Sequence, residues 1–286
     1  MAIYKDSLYF SIVTHEEFRE KYELTYGIIN NILSFFQSYT DISLMFNYID
    51  SKGVKINKVT QKNRDKLYQK LKDKDIYQFM IAEYVKSKEY YDTSENQRQT
   101  STLSCTIDFM DYGVKCYGIS VSVPTCYMIS TKAQEDFILL FKELNCLING
   151  FNSFISRGSC FPTFSADSLS VLDSVHISNK NTWDNCVRGY FWGNTVNEKI
   201  VEKIGGIKCI SEQGFYKVEK WQENLYIQVS ENIMEYSIAD AAKIRKLLLP
   251  AFPLNKERNV VYENAESYHR AKMLGIENFM IEEDLI

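Results

Sequence analysis

The sequence is poor in the residues and spacings from which enzyme sites are usually built. Histidine occurs three times in 286 residues. Acid–base, nucleophilic and metal chemistry lean on histidine because its charge changes near neutral pH. His15 falls in the first turn of a predicted helix, His176 lies between Val175 and Ile177, and His269 sits in a charged tail without a second ligand at i+4. Neither G-x-G-x-x-G nor G-x-x-x-x-G-K-[ST] occurs, so the glycine-rich cradles that offer backbone N–H groups to phosphates are missing. The pair Gly205-Gly206 follows a helical pattern and reads as a helix stop. The seven cysteines (Cys105, Cys116, Cys126, Cys146, Cys160, Cys186 and Cys209) are odd in number and contain no C-x-x-C, which speaks against a paired disulfide framework and a tetrahedral zinc site. Reduced thiols and a cytoplasmic home are expected. No metal and no cofactor are expected.

Long apolar runs are also missing. The longest helical one, Phe137 to Ile148, is interrupted by Lys142 and Glu143 and falls short of the roughly 20 residues a membrane span requires. The amino terminus carries Asp6 ahead of its short apolar run, without a small-residue cleavage site, and reads as a first strand. Proline is down to 4 residues and hydrophobic residues make up 45%, which fits a folded globular chain. Aromatics are plentiful, with 20 Tyr, 17 Phe and 3 Trp. Such residues fill strand-rich cores and also concentrate at binding hot spots.

Periodicity predicts an α+β fold of mainly antiparallel sheet with helices packed on one face. Thr14 and Glu17 form a capping-box pattern ahead of Phe18, Tyr22, Ile29, Ile32, Leu33 and Phe36 at helical spacing. Strands are predicted at Ser43 to Ile49 and Val54 to Val59 around the turn residues Asp50 to Gly53. A charged helical pattern runs from Gln61 to Tyr91, and the polar stretch 92–101 follows it. Leu103 to Phe109 alternates as a half-exposed strand, with a partner running to Val123. Thr131 and Gln134 cap a second helix, with Gly150 as its stop. Residues 151–183 carry no regular pattern apart from a short helical stretch near Ala166 to Val175. Farther on, a strand at Cys186 to Trp192, a helix at Asn197 to Ile204, strands at Phe215 to Trp221 and Leu225 to Ser230, and a helix at Ser237 to Leu249 repeat the opening β-α-β-β order. One compact unit over residues 1–286 is expected, with 1–92 and 101–286 as alternative sub-lobes joined by the polar stretch.

Charge is unevenly spread. Lys52 to Lys74 holds nine basic residues against Asp65 and Asp73, a net +7; with the whole chain at −4, the remainder carries −11. The basic stretch has only Tyr68 as an interleaved aromatic and reads as a solvated helix face, so nucleic acid is not an expected partner. The acidic remainder favours a basic protein, which it would attract by steering. Aromatics flanked by carboxylates are the candidate contacts: Trp183 beside Asp184, Trp221 near Glu219 and Glu223, and Tyr236 beside Glu235, with core or hairpin packing as the alternative for both tryptophans. Cys160 in RGSCF with His176 is the one nucleophile–base pair that can be drawn, and no G-x-S-x-G elbow accompanies it.

The segment Val187 to Pro250 holds RGYFWGN from Arg188 to Asn194, a helix with Ile200 and Val201, IGG at Ile204 to Gly206, and a final helix ending in LLLP. It resembles immunity proteins of bacterial polymorphic toxin systems, in particular the immunity protein 52 family and its type VI secretion relatives. The resemblance implies an α+β protein without catalytic activity, encoded beside the toxin it neutralises, which in that family often has a restriction-endonuclease-like nuclease fold. The family motif would be carried by Arg188, Gly189, Trp192, Gly193, Asn194, Gly205 and Gly206, which read physically as scaffold: a buried tryptophan, a tight turn into Asn197 as N-cap, and a helix stop. Tight binding of a cognate toxin is therefore the expected function. A scaffold module of another system, or an enzyme whose site is not visible in the sequence, are the alternatives.

Overall fold

A computed structural model describes residues 7–39, 43–83, 103–109, 117–157, 164–165, 187 and 189–251. The chain divides into two compact units, Met1–Gly150 and Phe151–Ile286. The polar stretch 92–101 lies outside the described residues, and the strands on either side of it are hydrogen-bonded neighbours in the first unit.

The first unit is α+β. Its strands are β1 (Ser7–Thr14), β2 (Leu44–Asp50), β3 (Gly53–Lys58), β4 (Gln78–Glu83), β5 (Ser104–Asp108) and β6 (Tyr117–Pro124), antiparallel in the order β1-β6-β5-β4-β2-β3. Alternation decides which face is buried. Leu8, Phe10 and Ile12 on β1 share a side with Ile119, Val121 and Val123 on β6, and all are at most 1% exposed. Helices α1 (Tyr22–Tyr39) and α3 (Thr131–Leu147) cover that side, with Phe10 lying 5.1 Å from Phe137 and 5.2 Å from Phe141 between ring centres. Helix α2 (Gln61–Lys72) packs beside α1 and buries only Leu67 and Leu71.

Three local expectations change here. The first helix starts at Tyr22, because the Thr14 hydroxyl donates to the Ile148 carbonyl and accepts from the Glu16 N–H instead of capping a helix. The charged helix stops at Lys72, where Lys74 turns the chain with φ 56°, and the apolar residues beyond it form β4. Helix α3 is capped by Ser130, one residue early, and its left-handed stop is Asn149 at φ 48°. Gly150 is needed for another reason: a Cβ there would come within 2.5 Å of Asn145 and Ile12.

The second unit is also α+β. Strands β7 (Phe151–Arg157), β10 (Gly193–Asn197), β11 (Lys217–Trp221) and β12 (Asn224–Gln228) lie antiparallel in the order β11-β12-β10-β7, while β8 (Phe164–Ser165) and β9 (Gly189–Tyr190) make a separate short pair. Helices α4 (Glu198–Lys203), α5 (Gly206–Glu212) and α6 (Ile238–Leu248) complete it. Asn197 caps α4 by accepting from the Ile200 N–H, as expected, and Gly205 ends it at φ +97°. The capping box of α6 is Ser237 with Asp240. β7 overturns the irregular reading of its stretch. The expected strand up to Trp192 is interrupted, because the Asn194 side chain accepts from the Phe191 N–H at 3.0 Å and donates to the Phe191 carbonyl at 2.6 Å, taking the place of a strand partner. The β-α-β-β order recurs in both units but the pairing does not: β12 lies beside β10, whereas β6 lies beside β1.

Candidate partner-binding surfaces

The residues of the expected contact set separate by burial. Trp221 is 2% exposed and stacks on Tyr226 with ring centres 4.1 Å apart, and Tyr236 is 4% exposed. The sequence places Tyr236 at the surface and leaves Trp221 open between a surface contact and core or hairpin packing. Both are packed into the second unit, because strand alternation turns Trp221 inward and the single helical turn Ile233–Glu235 delivers Tyr236 to the core. Burial raises the pKa of the Tyr236 phenol, aided by the nearby Tyr190 and Asp240. Glu223 and Glu235 remain exposed, and Glu219 is half-buried with its carboxylate 3.0 Å from the Lys217 ammonium. Trp183, Asp184 and Arg188 lie outside the described residues, as do Cys160, His176 and His269.

The motif residues that the structure describes are packed into the second unit or sit at its turns. Trp192 is 1% exposed and its indole N–H donates to the Ser230 hydroxyl at 3.0 Å. A Cβ on Gly193 would sit 3.1 Å from the Tyr226 hydroxyl, and one on Gly205 would sit 3.0 Å from Cys209. Gly206 has φ +79°, a backbone that side chains rarely adopt, and Gly189 is buried in β9.

The hairpin expected around Asp50 to Gly53 is present as the β2–β3 pair, and it changes how the basic stretch is to be understood. Lys52–Lys74 is not one solvated helix face: its first third is the β2–β3 hairpin and the outermost strand β3. Ser51 and Lys52 have ordinary negative φ while Gly53 has φ +97°, the geometry of a turn that closes on a glycine bulge. Carboxylates lock this turn. Asp50, 4% exposed, accepts from the Lys52 N–H at 2.8 Å and pairs with the Lys70 ammonium at 2.9 Å; Asp75 accepts from the Ser51 N–H at 2.9 Å and from the same ammonium. The Lys70 contact, followed by the Ser51 donors, pulls the Asp75 pKa down to about 2. Lys70 holds the Asp50 carboxyl below its usual value, and both carboxylates raise the Lys70 ammonium. The signal in the sequence was the D-S-K-G turn followed by a lysine and an aspartate that could reach it.

The face of this sheet opposite the helices carries Ser11, Ser120, Thr106, Met80, Asn47 and Ile56 across one row. A hollow of about 180 Å³ opens on it, lined by Tyr9, Ser104, Thr106, Ser120, Val121 and Ser122. At the edge, Ile49 is 37%, Val54 62% and Ile56 63% exposed, and they adjoin across the β2–β3 pair. Among the described residues no group of three or more His, Cys, Asp or Glu side chains is placed to hold a metal ion, and no helix is long and apolar enough to cross a membrane.

No protein-family profile matches the chain, and no curated protein does. The structure is similar to that of the Pseudomonas aeruginosa T6SS protein PA0821, with a TM-score of 0.59 at 10% sequence identity, over 86% of this chain and 74% of that one. At that identity the likeness is one of fold.

Proposed function

We propose that this protein is an immunity protein of a type VI secretion system, which neutralises a cognate toxin by forming a tight one-to-one complex and performs no reaction itself. The fold likeness to a type VI secretion protein carries this reading, because it covers both units and agrees with the immunity-like segment Val187–Pro250. The buried, glycine-dependent motif residues support it as well. They build a scaffold, as expected of a protein that acts through its outer surface rather than through a reactive centre.

The partner is the toxin encoded by the neighbouring gene, and a nuclease fits the charge. The −11 balance outside Lys52–Lys74 would occupy a groove made for phosphates and speed association by steering. The test is expression of that toxin in susceptible cells with and without this protein. Growth is expected only when both are made. A neighbouring gene product that is harmless alone, or whose toxicity this protein leaves unchanged, overturns the reading.

A further inference from the structure

We infer that β3 is a docking edge, which receives an extended segment of a partner protein as an added strand with apolar residues on one face and carboxylates on the other. The inference rests on the reading of this chain as a protein-binding protein. Among the described residues β3 ends the strand order of the first unit. The Val59 N–H donates to the Leu44 carbonyl at 2.9 Å, which sets the phase of the ladder: Asn57 and Lys55 turn their backbone groups toward β2, and Val54 and Ile56 turn theirs away. Edge strands are usually blunted with charges, bulges or proline. This edge carries lysines and a glycine bulge, and between them two β-branched apolar residues still stand 62% and 63% exposed, with Ile49 directly across from Val54.

Charge selects the occupant. Lys52 and Lys62 are exposed near the strand, and Lys55 projects from the face opposite Val54 and Ile56, whereas Lys58 shares their face at the end of the strand. A second copy of this chain would bring these lysines against their own counterparts. A strand whose carboxylates fall on the Lys55 face would pair with that lysine, while its apolar residues extend the Ile49, Val54 and Ile56 patch. Main-chain bonds then supply affinity, and the alternate side chains supply selectivity. The Asp50–Lys70–Asp75 lock holds the hairpin in place beforehand, so less ordering is needed when the strand arrives.

The test uses the full chain and a fluorescent peptide of about twelve residues with alternating valine and glutamate, compared with one of alternating valine and lysine, followed by anisotropy. Saturable binding of the glutamate peptide is expected, with the lysine peptide weaker by about tenfold or more. Ile56→Pro removes an N–H that points away from β2, so it should keep the thermal midpoint and lose about tenfold or more in peptide affinity. If that variant does not fold, Ile56→Lys serves the same purpose, and Lys55→Glu should weaken the glutamate peptide selectively. Lack of saturable binding by the unaltered protein, equal binding by the edge variants, or a dimer of the unaltered protein that Ile56→Pro dissolves would overturn the proposal. Peptide binding with failed growth rescue would overturn the immunity reading alone. Growth rescue with failed peptide binding would overturn the docking edge alone.

Discussion

Single residues in this protein are decided by which way alternation and turns point them. Trp221 was legible as an aromatic between carboxylates with core packing as its alternative, and the register with Asn224 and the stack on Tyr226 show that it faces inward. Trp221→Ala should therefore cost about 3–5 kcal/mol in urea unfolding, and whatever protein remains folded should bind its partner normally. A variant that unfolds like the parent yet binds a hundredfold more weakly would return Trp221 to the interface. Beside it, Gln222 turns the β11–β12 hairpin at φ 50°. A left-handed conformation costs a residue with a side chain about 1–2 kcal/mol, and glycine returns about 0.5–1 kcal/mol of that in unfolded-state entropy. Gln222→Gly should leave stability unchanged or raise it by up to about 1 kcal/mol, and a β-branched Gln222→Val should lower it. Denaturation of the two variants side by side checks the order.

Elements with strong periodicity could be read directly, and those fixed by distant partners could not. The hairpins β2–β3 and β11–β12, the α4 cap at Asn197 and the α6 cap at Ser237 follow from local turn and capping chemistry. The start of α1 did not, because Thr14 bonds to Ile148, 134 residues away. The charged pattern after Gln61 hid β4, whose alternation of Phe79 and Ile81 is short and follows a helical run without a proline or glycine break. The hairpin lock gives a pH prediction. Asp75 is depressed to about 2 from the ordinary carboxylate value, so its contribution is fully present above about pH 4 and is lost as pH falls toward the folded value. Lys70 is raised, so its share persists below about pH 10 and is lost only as pH climbs beyond that. The thermal midpoints of the parent and Lys70→Met should differ at pH 7 and converge on acidification toward pH 2. A gap that stays constant across that range would show that the ion cluster does not stabilise the hairpin.

At the scale of the whole molecule, the sequence showed the α+β class and the antiparallel sheets but not where one unit ends. The polar stretch 92–101 looked like a linker, whereas the division falls between Gly150 and Phe151, in a sequence with no composition change to mark it. Redox state belongs to this scale as well. Cys105 is buried and its thiol pKa is pushed up by burial, while Cys126 is exposed. Thiol titration should label Cys126 in the native protein and Cys105 only on unfolding, and the denatured chain should yield all seven thiols. A count of five or fewer would point to a disulfide and against a reducing compartment. The most direct measurement is of the complex itself, by calorimetry between this protein and the purified product of the neighbouring toxin gene. One-to-one binding with a Kd of about 1 nM or tighter is expected, with association slowing as salt screens the exposed charge. Absence of heat or of any complex at micromolar concentrations would contradict it.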